Sequence, residues 1–370
     1  METFTDIGFS KMKMLKNKYI PRLIAWEVTR TCHLNCKHCR AGATDEFYKD
    51  ELHAEEVFKV LENIASFSKP IIILSGGEPM LREDIYEIAS YGTQLGLKMV
   101  MAPCGMLITK ENIEKMKGAG IRRISLSLDG ANPGTHDDFR GKKGAFAEVI
   151  RAAQLARENE LEFQINTTVQ KNNVDELPKI LELAVHLGAE AFHPFLLVPT
   201  GRAKNLADQE IPPEEYERIL NWIYEQREKV PVQFKPTCAP HYHRIFRLRE
   251  KGKKRPPSYS PHGFDSMSKG CMGGQSFAFI SHTGKVQICG FLEVEAGDLR
   301  KEDYNFKAIW NNSPLFLSIR NIDQYNGRCG YCEFRNICGG CRARAFAVSG
   351  NYLDEEPYCI YQPKRREQIK

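Results

Sequence analysis

Three cysteines within eight residues, in the pattern Cys32-x3-Cys36-x2-Cys39, directly follow a strand-like stretch at 22–29. This triplet decides the class of the chain. Iron–sulfur cubanes are held by thiolates, normally one per iron. Three close cysteines therefore wrap three corners and leave the fourth iron open to a chelating ligand, much as an incomplete protein shell marks a catalytic zinc. The alternative is a Cys3His zinc site that draws on His33 or His38. Zinc sites more often use paired Cys-x2-Cys knuckles than an asymmetric triplet, so a cubane is expected.

Twelve cysteines occur in all, and seven of them follow residue 270. The first twenty residues mix Asp6 with Lys11, Lys13, Lys16 and Lys18 and contain no signal-peptide core. The thiols are therefore expected to be reduced and cytoplasmic, and their clusters read as metal ligands before disulfides. The longest apolar runs, such as Ile71-Ile72-Ile73-Leu74, fall far short of the ~20 residues of a membrane helix. The net charge of +5 suits a small anionic substrate and is too small to demand nucleic acid.

Between the two cysteine groups the chain alternates. Strands fit 22–29, 70–74, 98–102, 123–128, 161–169 and 191–198, and helical patterns fit 55–67, 84–95, 110–118, 145–158 and 174–187. Six strands alternating with helices predict an α/β fold built on a parallel sheet. The region is short for a full eightfold barrel of ~250 residues, so a partial (β/α)6 TIM-like barrel is expected, with its chemistry at the C-terminal ends of the strands. A helix at 213–229 and a strand at 232–235 close this region. Residues 247–262, rich in Lys, Arg, Pro and Ser, read as a linker or loop, and Lys364-Arg365-Arg366 as a solvated tail. The expected division is an N-terminal extension at 1–20, the barrel at 21–236, a connecting segment at 237–270 and a small cysteine-rich domain at 271–370.

The triplet is the signature of the radical S-adenosylmethionine (SAM) superfamily, which the chain resembles throughout the alternating region. The resemblance implies a [4Fe–4S] cluster whose open iron binds the amino and carboxylate groups of SAM. Reduction of that cluster cleaves SAM to methionine and a 5′-deoxyadenosyl radical. Ser75-Gly76-Gly77-Glu78-Pro79 matches the family's Gly-Gly-Glu-Pro motif, which assigns Gly76, Gly77 and Glu78 to SAM. Ser127-Leu128-Asp129-Gly130 ends the fourth strand, where the family often contacts the ribose, and so adds Ser127 and Asp129. Asn166, Thr168 and Arg140 complete the expected pocket, although each taken alone also has a structural reading. One departure is Pro103-Cys104-Gly105, where many members have Thr-Asn-Gly. Cys104 reads either as a small buried residue or as one facing the substrate.

The second cysteine group resembles the SPASM extension of the same superfamily, a carrier of auxiliary [4Fe–4S] clusters. Cys271 is followed by Gly284 and Cys289, then by Cys329-x2-Cys332-x5-Cys338-x2-Cys341, and finally by Cys359. The last spacing departs from the usual x3. A zinc ribbon shares the paired Cys-x2-Cys grammar, but its pairs usually stand further apart, and Cys271, Cys289 and Cys359 would have no role in it. Carried over, SPASM connectivity gives an outer cluster to Cys329, Cys332, Cys338 and Cys359, and an inner one to Cys271, Cys289 and Cys341. Two fully ligated cubanes need about eight thiolates, and this region has seven. The fourth iron of the inner cluster is then open, or held by Cys238 or by a non-cysteine group. A single auxiliary cluster also satisfies the count.

The connecting segment Thr237-Cys238-Ala239-Pro240-His241-Tyr242-His243-Arg244 is dense in polar side chains. Its bland reading is solvent exposure or capping; its functional reading is contact with a metal or with carboxylates, onto which Arg forks. With Gly339-Gly340-Cys341-Arg342-Ala343-Arg344-Ala345 and Glu355-Glu356-Pro357-Tyr358-Cys359, it resembles one branch of the superfamily, the SAM-dependent haem synthases of the sirohaem-derived pathway. Enzymes acting on didecarboxysirohaem and on the haem d1 precursor are related. The resemblance implies Fe-coproporphyrin III as substrate, oxidatively decarboxylated at two propionates to give the vinyl groups of haem b. It also implies a low-potential electron donor such as ferredoxin or flavodoxin and an unidentified electron acceptor. His241, Tyr242, His243, Arg244 and Arg342 are the expected substrate contacts. The rivals are a SPASM enzyme that modifies a precursor peptide, for whose usual docking domain residues 1–20 are too short, and a related enzyme that modifies didecarboxysirohaem or the haem d1 precursor.

Overall fold

The computed structural model describes residues 19–252 and 270–364. Most of the expected N-terminal extension, much of the 247–262 stretch and Arg365-Arg366 of the basic tail lie outside the described residues.

Six strands form where the alternation places them: β1 (Leu23–Thr29), β2 (Ile71–Gly76), β3 (Lys98–Met101), β4 (Arg123–Ser127), β5 (Glu162–Val169) and β6 (Ala191–Leu196). They pair in parallel and in sequence order, with Trp26 opposite Leu74, Leu74 opposite Met101, and Ser127 opposite Asn166. β7 (Gln233–Phe234) adds a further parallel strand beside β6. Helices cover the sheet with their apolar faces; Val57, Val60, Leu61 and Ile64 of the helix Ala54–Ala65 share one core with Ile24, Trp26 and Val28 of β1. Among the described residues no helix is long and apolar enough to cross a membrane.

Two local features refine the expected elements. The pattern at 174–187 splits into a 3-10 turn, Val174–Glu176, and a helix, Leu177–Leu187, because Pro178 is favoured in a first helical turn. An additional helix, Pro133–Arg140, has little apolar periodicity but clear terminal signals. The Asn132 side chain accepts from the Thr135 amide, Pro133 starts the first turn, and Gly141 ends the helix in the left-handed conformation.

The expected boundary at 271 falls inside a continuous sheet. β8 (Phe277–Ile280) pairs in parallel with the free edge of β1, placing Ile280 opposite Trp26. β9 (Lys285–Gln287) and β10 (Gly297–Asp298) follow antiparallel, making one sheet of ten strands. A bare β1 edge would present unpaired amides and carbonyls; the cysteine-rich region covers them.

A buried carboxylate fastens this junction. Glu27 of β1 hydrogen-bonds Arg30 Nε at 3.1 Å and His282 Nδ1, beyond β8, at 2.6 Å, and pairs with Arg40 just after the cysteine triplet. Burial alone would raise its pKa, but Arg40, His282 and Arg30 outweigh that and hold it at about 2. A depressed carboxylate pKa contributes stability above the ordinary carboxylate range and loses it as pH falls through the folded value. Glu27→Gln leaves the cations without their charge, at an expected cost of about 3–5 kcal/mol. Denaturant titration at neutral pH should show that loss, and the gap between variant and parent should narrow toward pH 2. Equal midpoints at neutral pH would remove Glu27 from this role.

Candidate active site

The chain leaves β1 at Thr29 and enters the cysteine loop, whose ends are tied by a bridge between Thr31 and Thr44 and by the Cys32 amide on the Thr44 carbonyl at 2.8 Å. Cys32 and Cys36 are buried beside Leu34 and Ala43, with Cys39 and Cys104 packed against them. Each triplet sulfur accepts a donor: the Leu34 amide reaches Cys32 Sγ at 3.4 Å, the Ala43 amide reaches Cys39 Sγ at 3.4 Å, and Arg140 Nη1 reaches Cys36 Sγ at 3.8 Å. Hydrogen bonds to sulfur are a means by which proteins set cluster potentials. Burial pushes the Cys32 thiol up to about 12, so a metal that binds there must displace its proton. Arg202, from the loop after β6, clamps the triplet from outside. Its Nε and Nη1 donate to the carbonyls of Cys36 and Ala43 at 2.8 and 2.7 Å, and its amide donates to the Cys39 carbonyl at 3.0 Å.

Neither histidine of the zinc alternative joins the thiols. His33 faces the exposed Asp45, and His38 lies flat on Phe139 with ring centroids 4.1 Å apart. Burial, then the Arg140 charge, lowers His38 to about 3, so its ring is neutral. Among the described residues no three His, Cys, Asp or Glu side chains converge on a single ion.

The Gly-Gly-Glu-Pro turn packs directly on the entry to the cysteine loop. The amides of Gly77 and Glu78 donate to the carbonyls of Thr29 and Thr31, both at 2.8 Å. A Cβ on Gly76 would lie 2.1 Å from the Thr29 oxygen, and one on Gly77 would lie 2.2 Å from the Thr31 oxygen. Close backbone approach therefore requires both glycines, whatever else they touch. The Glu78 carboxylate is buried and accepts the amides of Met80 and Cys104 at 3.0 and 2.6 Å. Burial raises its pKa against those contacts. Cys104 thus sits beside the triplet, hydrogen-bonded to Glu78, rather than inside either cysteine group.

Asp129, fully buried after β4, organises the other side. Its Oδ1 accepts the Thr168 amide at 2.6 Å, and its Oδ2 pairs with Arg140 Nη2 at 2.5 Å. Arg140 reaches on to Cys36, so Thr168, Asp129, Arg140 and a triplet sulfur form one connected chain. Ser127 and Asn166 face each other across β4 and β5, and Gln164 Nε2 links Asn166 Oδ1 to His193 Nδ1, both at 2.9 Å.

Cys329, Cys332, Cys338 and Cys359 line one cavity. Their sulfurs draw donors as the triplet does: Phe334 N–H on Cys332 Sγ at 3.4 Å, and Glu356 N–H and Arg342 Nη2 on Cys329 Sγ at 3.3 and 3.7 Å. Cys271, Cys289 and Cys341 are not part of that lining, although the Cys271 amide donates to the Cys338 carbonyl at 3.0 Å. Burial, then mutual repulsion with Cys271 and Cys341, raises the Cys289 pKa. All twelve cysteines are free of disulfides.

The connecting segment forms a helix, His241–Arg249, rather than a solvated strap. His241 and Arg244 line the outer-thiol cavity. Arg244 pairs with Glu217 at 2.5 Å and stacks on Tyr361, and His241 Nε2 lies 3.9 Å from Glu356. Arg342 is buried and donates to the carbonyls of Tyr352 and Asp354 at 3.0 and 2.6 Å. These three expected substrate contacts therefore stand beside the outer thiols, Arg244 and Arg342 with internal partners and His241 with neither ring nitrogen hydrogen-bonded. Tyr242 is buried and His243 half-buried; burial, then Lys235, lowers His243 to about 4. Sequence reasoning did not single out Glu27 or His282, and it offered Arg202 as a cation for substrate carboxylates, whereas here Arg202 is spent on the carbonyls of the cysteine loop. A glutamate inside the apolar run Trp26-Glu27-Val28 was the one available signal.

A family model described as the radical SAM superfamily matches residues 26–184, and one described as an iron–sulfur cluster-binding domain, SPASM, matches residues 271–342. The chain is 49% identical to an "AdoMet-dependent heme synthase" of Methanosarcina barkeri over 94% of its own length and 98% of that protein. An "Fe-coproporphyrin III synthase" of the same organism is more distant, at 31% identity over 91% of this chain and 87% of that one. Among solved structures, Streptococcus suis SuiB bound to S-adenosylmethionine shares the fold, with a TM-score of 0.73 at 18% identity over 95% of this chain and 80% of SuiB. The chain belongs to the radical SAM superfamily, as a SPASM-bearing member of the branch that contains the AdoMet-dependent heme synthases.

Proposed function

We propose that this chain converts Fe-coproporphyrin III to haem b, two propionates each losing a hydrogen atom, carbon dioxide and one electron to become vinyl groups. The observation that carries the reading is the near-half identity to a haem synthase over almost the whole of both chains. When bound at the triplet, a reduced [4Fe–4S] cluster with SAM supplies a primary carbon radical, strong enough for an unactivated propionate C–H bond that no side-chain base removes. Cys32, Cys36 and Cys39 hold that cluster. Arg202 fixes their loop, and Arg140 orients Cys36 while neutralising Asp129. The Gly76-Gly77 backbone, Glu78, Ser127, Asp129, Asn166 and Thr168 form the SAM side of the pocket.

The outer thiols Cys329, Cys332, Cys338 and Cys359 and the inner Cys271, Cys289 and Cys341 would hold auxiliary clusters, which would supply a place for the electrons released on decarboxylation. Arg244, His241 and Arg342 shape the outer site, while Tyr242 and His243 stand as candidates for the substrate. A ferredoxin or flavodoxin is the fitting donor to the radical cluster, and the acceptor beyond the auxiliary clusters is a separate redox partner. Twelve unpaired cysteines fit a reducing cytoplasm.

Anaerobic incubation with SAM, dithionite and Fe-coproporphyrin III should yield a product lighter by two formic acid equivalents by mass spectrometry. Unchanged porphyrin alongside active SAM cleavage would shift the reading to the peptide-modifying rival. Replacing Cys32, Cys36 and Cys39 together by Ala should abolish 5′-deoxyadenosine formation and remove about four irons while leaving the auxiliary iron in place. Deoxyadenosine formation at the parent rate would sink the cluster assignment. Asp129→Asn should slow SAM cleavage by about 10–100-fold with iron content unchanged, as for other residues that orient ligand shells. An unaltered rate would make Asp129 purely structural.

A further inference from the structure

Cys238 lies outside the matched iron–sulfur domain, in the segment just beyond β7, yet the fold carries it to the inner thiols. Its backbone is held from both sides. Thr237 exchanges hydrogen bonds with the end of β6, its amide on the Pro194 carbonyl at 2.8 Å and its carbonyl accepting the Leu196 amide at 3.1 Å. Cys238 itself adopts the left-handed conformation, with φ of 57°, which a non-glycine residue rarely takes without a compensating constraint.

Two contacts tie Cys341 and Cys271 to that point, and a third ties Cys289 to Cys271. Arg344 Nη2 donates to the Cys238 carbonyl at 3.1 Å, and Arg344 belongs to the helix Arg342–Ser349 that Cys341 caps. Gly270, next to Cys271, is wedged between Pro240 and Cys338, and the Cys271 amide donates to the Cys338 carbonyl at 3.0 Å. A Cβ on Gly273 would lie 3.8 Å from Cys271 Sγ and 3.2 Å from the carbonyl oxygen of Ile288, the residue before Cys289. Cys238, Cys289 and Cys341 pack in the same core. The charges of Cys341, Cys289 and Cys271 all bear on the Cys238 thiol, which is half-buried.

We propose that Cys238 is the fourth thiolate of the inner auxiliary [4Fe–4S] cluster, with Cys271, Cys289 and Cys341, so that this cluster has no open iron. The inference rests on the cluster-binding reading of the C-terminal region. It deepens that reading, because a closed inner cluster can accept electrons but offers no iron to a substrate carboxylate. Eleven of the twelve cysteines then hold iron, and the remaining one, Cys104, is hydrogen-bonded to Glu78.

The test uses the full chain with Cys32, Cys36 and Cys39 replaced by Ala, which isolates the auxiliary clusters. Reconstituted anaerobically, it should hold about eight irons, two cubanes of four. Mild ferricyanide treatment should leave these as four-iron clusters. Adding Cys238→Ala should open one iron. About one iron per protein is then lost under the same treatment, with a three-iron EPR signal, and added imidazole perturbs the reduced spectrum only in this variant. Ferricyanide lability or imidazole binding already present before that substitution overturns the proposal, as does an unchanged response after it. A total near four irons would overturn the inner cluster itself, which separates failure of the underlying reading from failure of the ligand assignment. Should the variant not fold, 57Fe Mössbauer spectra of the unsubstituted protein with SAM decide the matter. Only one iron, that of the radical cluster, should lack an all-sulfur environment; a second such iron rejects Cys238 as a ligand.

Discussion

A single buried charge holds the working parts of this protein in place. Glu27 has no solvent exposure, and a carboxylate in that setting is stable only with cationic or donor partners around it. The three it has come from different places: Arg30 from the end of its own strand, Arg40 from the cysteine loop, and His282 from the turn after β8. Satisfying one charge therefore fixes the strand, the radical-cluster loop and the added C-terminal hairpin relative to one another. Arg40 extends the tie. Its guanidinium lies 4.4 Å from the Phe279 ring centroid, and its stem passes against Gly290, next to Cys289. In the proposed function this is the contact between the hydrogen-abstracting end of the site and the end that removes electrons.

The cysteine loop has little regular secondary structure, so its backbone groups need partners from elsewhere. Arg202 supplies three bonds, the Gly76-Gly77 turn packs against the loop entry, and three donors point at sulfur. The result is a loop positioned by neighbours on three sides. That rigidity matters for radical chemistry, because reacting atoms must be held in near-attack geometry. It also explains why the Gly-Gly pair is needed by the fold before any cofactor enters: a methyl group at either position would strike the Thr29 or Thr31 carbonyl.

The strands and most helices were legible because their signals are local. Periodicity, the Gly-Gly turn and the cysteine spacing each sit within a few residues. The helix Pro133–Arg140 was announced only by its ends, Asn132-Pro133 and Gly141, and its weak apolar pattern hid it. The pairing of β8 with β1 joins residues more than two hundred positions apart, and nothing local in either strand specifies the other. The orientation of the histidines and arginines of the connecting segment was not legible, for a physical reason. Their types suit a carboxylate-bearing substrate, but whether a cation faces outward or inward depends on which acid the fold brings to it. Here Glu217 reaches Arg244, and Glu356 lies near His241.

Glu356 shows what that inward charge does. Its side chain accepts the amide of Cys341, an inner thiol, at 2.6 Å, while its own amide donates to Cys329 Sγ, an outer thiol, at 3.3 Å. It therefore lies between the two sets. A lone carboxylate there would oppose any electron arriving on a nearby cluster. Arg344 pairs with it at 3.3 Å, and Arg342 donates to Cys329 Sγ; both arginines are fully buried. Burial, chiefly, lowers His241 to about 4, so its ring is neutral and adds no charge. Arg344 and Arg342 thus set their positive charge against Glu356 beside the thiols. Local charge and hydrogen bonds to sulfur are the levers that raise a cluster's affinity for an electron. Part of the chain's basic excess is therefore buried, beside thiols that in the proposed function hold the electron-accepting clusters.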